Sequence, residues 1–194
     1  MKIKSYGFLF FGEFLCLSAL VAGLFSPLNH KFTKLHETKT KEIMDEVKAN
    51  KDYNPEMHSA EHILNQTMVR MFNKGRSFSN HIEKKKSKCD YHFDRNLTEE
   101  EVETINKKVN EVIQQDLKVT EEFLHRDDAI NNFKLSQLPD DAGDTIRIIK
   151  IGDYDACPCS GVHVSSTKEI GKFQIISTGY EEGILRVRFK LPKE

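Results

Sequence analysis

Residues 54–73 read NPEMHSAEHILNQTMVRMFN, a stretch with the periodicity of a helix that carries two histidines. Asn54-Pro55 marks a start, and Gly75 marks a stop just beyond the pattern. The positions that recur at helical spacing are Met57, Ile63, Leu64, Thr67, Met68, Met71 and Phe72. The stretch therefore predicts a helix from Glu56 to Asn73.

Two further elements follow this helix. Residues 77–94 predict a hairpin, with one strand through Phe78 and Ile82 and a second through Tyr91 and Phe93. A second helix begins at Thr98, which forms the capping-box pattern with Glu101. Its apolar stripe is Val102, Ile105, Val109, Val112 and Ile113.

The last third of the chain has the pattern of strands. A strand near residues 119–124 and a short helix near 127–132 precede three apolar runs, at 146–151, 172–178 and 184–191. The last run alternates apolar with basic residues, as a half-buried strand does. The order of elements predicts an α+β fold: a largely antiparallel sheet flanked by two main helices.

Bulk composition limits the classes of protein. The net charge is -1, which excludes a bulk polyanion binder but leaves room for a local basic patch. The four cysteines include a C-x-C pair, which fits neither a disulfide framework nor a paired C-x-x-C ribbon. We expect three segments: an apolar N-terminal segment at 1–28, a linker or loose helix at 29–54, and the main domain at 55–194.

The N-terminal segment has two interpretations. Lysines, an apolar run and small residues give residues 1–23 the pattern of a signal peptide, which Glu13 interrupts. Alternatively the true start is Met44 or Met57. The first interpretation predicts export, and the second a cytoplasmic protein.

Two short motifs offer metal ligands. His58 and His62 stand four residues apart, so a helix places both imidazoles on one face. Cys159 and His163 offer a thiolate and an imidazole at the same spacing in a loop, where Gly161 allows a tight turn. Together they make a His3Cys set suited to tetrahedral Zn2+, which predicts a zinc site between the first helix and the late loop. Either cysteine of the C-x-C pair can approach a metal, and the four-residue spacing to His163 favours Cys159. Cys157 is interpreted as a small packed residue near the site, with a ligand role as the alternative.

A third motif completes a recognisable pattern. The stretches are HSAEHIL at 58–64, CSGVHV at 159–164 and TKEIGKF at 167–173. In this order they resemble the editing domain of alanyl- and threonyl-tRNA synthetases, the second additional domain, and its free-standing relatives. The resemblance spans roughly residues 57–191 and implies that the four ligands hold zinc.

The resemblance also implies a reaction. The Glu169-Ile170-Gly171 continuation is more like the alanyl branch, which removes serine or glycine wrongly attached to alanine tRNA. We therefore expect a trans-editing deacylase in the cytoplasm, with aminoacyl-tRNA as partner. The common Cys-Gly-Gly-Thr-His form is altered at Ser160 and Val162, which leaves the amino-acid specificity open.

Several residues are candidates for roles in that chemistry. Zinc either lowers the pKa of a bound water or holds the substrate while another water attacks. Glu61 is a candidate to orient water or brace a histidine, or it is a solvent-facing helix residue. Ser160 is a candidate to recognise a serine hydroxyl.

Basic residues offer contacts for tRNA phosphates. The candidate residues are Lys84, Lys85, Lys86 and Lys88, with Lys74 and Arg76 nearby. Arg186 and Arg188 on the last strand are a second possibility. No membrane span is expected in the mature domain.

Two other functions remain open. The pattern H-x-x-E-H at 58–62 is also that of an inverzincin metallopeptidase with Glu61 as general base, but that class needs a further acidic ligand and leaves Cys159 and His163 without a role. The other is a zinc-stabilised module that binds tRNA without hydrolysing anything, which a closed four-ligand shell would favour.

Overall fold

A computed structural model describes residues 54–133, 135 and 143–193. The segment at 1–28, with its signal-peptide pattern, lies outside these residues, as does the linker at 29–54 apart from Asn54. Among the described residues, no helix is both long and apolar enough to cross a membrane.

The described part of the chain contains three α-helices and seven strands. The helices are α1 (Pro55–Phe72), α2 (Glu99–Gln114) and α3 (Arg126–Asn132). The strands are β1 (Ser79–His81), β2 (Ser87–His92), β3 (Val119–His125), β4 (Thr145–Ile151), β5 (Asp155–Pro158), β6 (Gln174–Glu181) and β7 (Ile184–Lys190). A 3-10 turn at Thr167–Ile170 lies between β5 and β6.

The strands form two antiparallel sheets. The first has the order β1-β2-β7-β6, and the second the order β3-β4-β5. The predicted α+β class with antiparallel pairing is confirmed. The division into two sheets was not predicted, because alternation along a strand does not reveal which strand it pairs with.

Helices α1 and α2 cover the inner face of the four-stranded sheet. Their buried apolar residues share one core cluster with the inward residues of β2, β6 and β7. On β7 the inward side chains are Leu185, Val187 and Phe189, as the alternating pattern predicted. A smaller cluster lies between α3 and β4, around Ala129, Ile146 and Ile148.

The starts of both main helices follow from the sequence. The side chain of Asn54 accepts a hydrogen bond from the Met57 amide, and Pro55 occupies the first turn. Thr98 and Glu101 form the predicted capping box at the start of α2. Helix α1 ends at Phe72, one residue before the predicted end, and Asn73 follows it with a left-handed backbone (φ 53°).

Helix α1 is buried on nearly every side along its first three turns. Its buried positions include Ser59, Glu61, Asn65 and Thr67 as well as both histidines. Burying polar groups is unfavourable unless they find hydrogen-bond partners. These buried polar side chains therefore need hydrogen-bond partners within the fold.

The motif at 167–173 serves the fold. The Thr167 hydroxyl is fully buried, accepts a hydrogen bond from the Leu117 amide (2.9 Å) and donates to the Val112 and Ile113 carbonyls at the end of α2. Phe173 is buried in the main core. This motif therefore fixes the chain that follows the Cys159–His163 loop against α2.

Candidate metal centre

The two histidines of α1 lie in the first half of the helix, on the side that faces the late loop. Only 7% of His58 and 3% of His62 is exposed. Their rings meet edge to face with centroids 5.3 Å apart. The helical spacing therefore places both imidazoles on one buried surface, as the sequence predicts.

The second pair is carried by the loop that follows β5. This strand ends at Pro158, and the Cys159 amide donates to the Arg147 carbonyl on β4 (3.1 Å). The Arg147 guanidinium in turn donates to the carbonyls of Cys159 (3.1 Å) and Gly161 (2.8 Å). Strand β4 thus holds the loop through both its backbone and one side chain.

The four predicted ligands converge. One ligand atom from each of His58, His62, Cys159 and His163 lies within 4.8 Å of all the others. The Cys159 sulfur is 3.5 Å from Nε2 of His58 and 3.4 Å from Nε2 of His163. A sulfur and a nitrogen bound to one tetrahedral zinc ion lie about 3.5 Å apart, from the usual bond lengths. The distances from the Cys159 sulfur to His58 and His163 therefore fit a zinc ion.

Each imidazole is held through its other nitrogen. Nδ1 of His58 is 3.1 Å from the Val162 carbonyl, and Nδ1 of His163 is 3.1 Å from the Ser59 hydroxyl. The Ser59 hydroxyl also accepts from the Val164 amide (3.2 Å). A proton on Nδ1 leaves the Nε2 lone pair directed at the centre of the group.

The third histidine is oriented by a carboxylate. Nδ1 of His62 lies 3.3 Å from Asp155 Oδ2, a charge contact that does not meet hydrogen-bond geometry. Arg76 donates two hydrogen bonds to the same carboxylate, at 2.7 and 3.3 Å. The buried Asp155 carboxylate thus links Arg76 to His62. A carboxylate is common in this place behind a metal-binding histidine.

The pKa values of Cys159 and His163 favour the forms of these side chains that bind a metal cation. Burial by itself would raise the pKa of Cys159, but contacts with His163, His58 and His62 lower it to about 3. Burial lowers the pKa of His163 to about 4. The thiolate and the neutral imidazole are the forms that bind metal ions.

The pKa of His62, unlike that of His163, is raised. Burial alone would lower the pKa of His62, but the Asp155 and Cys159 contacts raise it to about 9. Metal binding to such a group displaces a proton. The chemistry and spacing of these donors therefore fit the predicted zinc ion.

Position 161 requires a glycine because the backbone of the loop lies against the His58 ring. A Cβ atom at this position would lie 2.1 Å from Cε1 and 2.5 Å from Nδ1 of His58. No side chain larger than hydrogen fits there without displacing the ring. The glycine therefore serves the packing of the loop against α1.

Glu61 is buried, so its interpretation as a solvent-facing residue is wrong. Only 4% of it is exposed. Its Oε1 accepts from Asn80 Nδ2 on β1 (2.8 Å) and from Asn65 Nδ2. Its Oε2 is 3.9 Å from Nε2 of His62. The second oxygen therefore lies beside the ligand group.

The other candidate residues lie outside the group of four. Cys157 is partly buried, and burial raises the pKa of its thiol to about 12. Ser160 is exposed on the loop. Arg76 forms an ion pair with Asp155, and its place near the basic patch stays a prediction. Lys74 forms a surface ion pair with Asp94 (2.9 Å).

The lysine run lies where the hairpin pattern puts it. Lys84, Lys85 and Lys86 are exposed between β1 and β2, and Lys88 is on β2. Asn80 on β1 contacts Glu61, so this hairpin borders the ligand group.

Sequence reasoning did not find the residues that support the ligands. These are Ser59, Asn65, Asn80, Arg147 and Asp155. Ser59 and Asn65 carried one available signal, since both are polar and stand among the apolar positions of α1. The others come from strands whose pairing the sequence does not give.

Comparison with known proteins supports the same resemblance. The profile of the threonyl and alanyl tRNA synthetase second additional domain matches residues 146–188. The chain therefore resembles this editing domain, as its three motifs predict. The matched region includes the Cys159–His163 loop.

Individual relatives are alanine–tRNA ligases. That of Fervidobacterium nodosum is 30% identical over 132 residues, which is 67% of this chain and 15% of the ligase. That of Caldicellulosiruptor saccharolyticus is 31% identical over the same shares. That of Neisseria meningitidis is 26% identical over 170 residues, or 84% of this chain and 18% of the ligase. The chain thus spans less than a fifth of the length of these relatives.

Proposed function

We propose that this chain is a zinc-dependent deacylase that hydrolyses mischarged aminoacyl-tRNA, with Ser-tRNA(Ala) or Gly-tRNA(Ala) as substrate. The observation that carries the proposal is the convergence of His58, His62, Cys159 and His163 in a chain that resembles a tRNA synthetase editing domain. Its site of action is the cytoplasm, where tRNA is charged.

The four converging residues hold the zinc ion. When bound, zinc would supply Lewis-acid chemistry for water activation or for polarising an ester carbonyl, and both need a coordination position beyond the four protein ligands. The support for this assignment is the set of Nδ1 partners, which orient the three rings.

Glu61 is the general base in this proposal. The amides of Asn65 and Asn80 occupy its Oε1 and leave Oε2 toward the ligand group. A carboxylate in this place accepts a proton from water as the water oxygen bonds to the acyl carbon. It returns that proton to the ribose oxygen as the bond between the acyl carbon and that oxygen breaks, which frees the amino acid and restores the ribose hydroxyl.

Replacing Glu61 with glutamine is expected to lower the turnover number about 10²- to 10⁴-fold, the usual contribution of acid–base catalysis. Glutamine retains an oxygen that can accept from Asn80, so the zinc content should stay at the wild-type value. Single-turnover deacylation with metal analysis measures both. Glu103→Gln, an exposed change on α2, is the control. Unchanged turnover in Glu61→Gln would assign Glu61 a structural role only.

Arg147→Gln is expected to weaken zinc binding about ten- to a hundredfold, because residues that orient ligands contribute that much to metal affinity. The guanidinium holds two carbonyls of the ligand loop, and glutamine cannot hold both. Competition with a chromophoric chelator measures the affinity. Lys150→Gln, which removes a partly exposed cation from the same strand, should bind zinc like the wild type. Equal affinity in both variants would contradict a positioning role for Arg147.

Ser160 and the lysines take substrate contacts in this proposal. Ser160 is exposed one residue from Cys159, within the same loop, and is proposed to contact a serine hydroxyl. Lys84, Lys85, Lys86 and Lys88 are proposed to contact tRNA phosphates, since their hairpin borders the ligand group.

The metallopeptidase alternative has less support. It uses His58, His62 and a further acidic ligand, whereas here Cys159 and His163 complete the group. Nothing in the contacts of Glu61 favours a peptide over an ester.

Hydrolysis of a substrate panel tests the proposed function. The panel is Ser-tRNA(Ala), Gly-tRNA(Ala) and Ser-tRNA(Thr), each incubated with the purified full chain and followed by release of the labelled amino acid. The proposal expects hydrolysis of one of the first two. Zinc-loaded protein that hydrolyses none of the three would favour a binding module, and peptide hydrolysis lost in Glu61→Gln would favour the peptidase.

A further inference from the structure

The outer face of the four-stranded sheet carries clustered positive charge. The inward residues of β7 are buried in the core, so Arg186, Arg188 and Lys190 point to the opposite face and are partly exposed. Lys88 on the neighbouring strand is also partly exposed. We call the residues Lys88, Arg186, Arg188 and Lys190 the cationic face.

Two of these cations directly oppose each other. Lys88 is the cross-strand partner of Arg188 in the pairing of β2 with β7. Like charges directly opposite on a sheet are destabilising. The opposed Lys88 and Arg188 therefore lower the stability of the sheet.

Two carboxylates act on the four cations: Asp90 through hydrogen bonds, and Glu181 through its charge beside Arg186. Arg186 donates two hydrogen bonds to Asp90, both 2.7 Å long. This fork lowers the pKa of Asp90 against the effect of burial, and the charges of Lys88 and Arg188 lower it further. Asp90 is thus fully engaged by Arg186, and the face keeps an excess of positive charge.

The face also presents an aromatic surface. Phe78 stacks on His92 with ring centroids 4.2 Å apart and an interplanar angle of 13°. His92 shares the outward side of β2 with Lys88, and 41% of Phe78 is exposed. Cations beside an exposed ring are a common arrangement for holding a nucleic acid strand.

The cationic face lies close to the ligand group. Asn80 on the edge strand β1 contacts Glu61 on the inner side of the sheet. Lys88 is one strand inward from β1, and Arg188 is on the next strand. Neighbouring strands are about 4.8 Å apart, so Arg188 lies about 10 Å across the sheet from β1, the strand that borders the ligand group.

We propose that the cationic face, through Lys88 and Arg188, binds the phosphate backbone of the tRNA acceptor stem, so that the single-stranded 3′ end passes over β1 to the ligand group. The identity of the RNA rests on the proposed function. The binding surface itself rests on the unfavourable Lys88–Arg188 pair and on charge complementarity with phosphate.

Binding of uncharged tRNA to the full chain at several salt concentrations tests the surface. The variant is Lys88→Gln with Arg188→Gln, and the control is Lys107→Gln with Lys108→Gln, which removes two exposed cations from α2 on the other side of the sheet. Each duplex phosphate contact adds about 0.9 to the slope of log affinity against log salt, so the variant should lose about 2 from it. Its dissociation constant should rise about tenfold or more, with the control unchanged.

Two further readouts separate binding from folding. The melting temperature of the variant should equal or exceed that of the wild type, because a like-charge pair is removed. With charged tRNA, KM should rise while kcat stays at the wild-type value. Equal affinity and equal salt slope in the variant and the control would overturn the proposal that the cationic face binds tRNA.

The two proposals fail in different ways. If the wild type binds uncharged tRNA with the expected slope but releases no amino acid, the surface stands and the proposed function fails. If the double variant hydrolyses the ester with an unchanged KM, the function stands and the surface fails.

Discussion

Replacing Cys159 with alanine is expected to remove zinc and reduce deacylation by about a hundredfold or more, since loss of even an outer partner of a ligand costs about 10- to 100-fold. Cys159 is the only sulfur donor of the group, and it lies within 3.5 Å of two imidazole nitrogens. Its thiolate form, with a pKa of about 3, is the charge that balances the cation. Metal analysis and the rate of amino-acid release measure the effect.

Cys157→Ala is the matched control for this change. Cys157 is two residues away on β5, and burial keeps its thiol protonated. The control should retain zinc and turnover. Loss of zinc in Cys157→Ala together with its retention in Cys159→Ala would reverse the assignment of the two cysteines.

Gly161→Ala is expected to have an effect of similar size without removing any ligand. The added methyl group would lie 2.1 Å from Cε1 of His58, closer than non-bonded atoms approach. Either the ring or the loop must move, which separates Nε2 of His58 from the Cys159 sulfur. The zinc stoichiometry and the deacylation rate should both fall, while the far-ultraviolet circular dichroism stays that of the folded chain.

Gly179→Ala is the control for the glycine change, because a methyl group there meets no atom within 4 Å. It should behave as wild type. Full zinc occupancy and full turnover in Gly161→Ala would mean that the loop adapts easily, and that the packing of Gly161 against His58 has no role in the site.

Much of the fold was predictable from local signals. Asn54 and Pro55 start α1, Thr98 and Glu101 start α2, and the alternation along residues 184–190 defines β7. Each of these signals acts within a few residues of the chain, so a single sequence contains it. Strand β5 was missed because Cys157-Pro158-Cys159 reads as loop, and only its pairing with β4 makes it a strand.

The candidate site divides in the same way. Both pairs of ligands are visible as four-residue spacings, and their order supports the resemblance to the editing domain. The partners of the ligands are not visible, since Asp155, Arg147 and Asn80 reach the site through the pairing of two sheets. The burial of Glu61 also depends on tertiary structure, because β1 and the loop cover the side of α1 that a simple stripe pattern leaves to solvent.

Removal and return of zinc during Ser-tRNA(Ala) hydrolysis tests whether this chain is a zinc-dependent deacylase. The full chain is freed of metal with a chelator, assayed, reloaded with measured zinc, and assayed again beside Cys159→Ala treated in the same way. Hydrolysis should stop on removal and return in proportion to zinc up to about one ion per chain, with no recovery in Cys159→Ala. Hydrolysis that continues at the full rate without zinc, or that returns equally in Cys159→Ala, would contradict it.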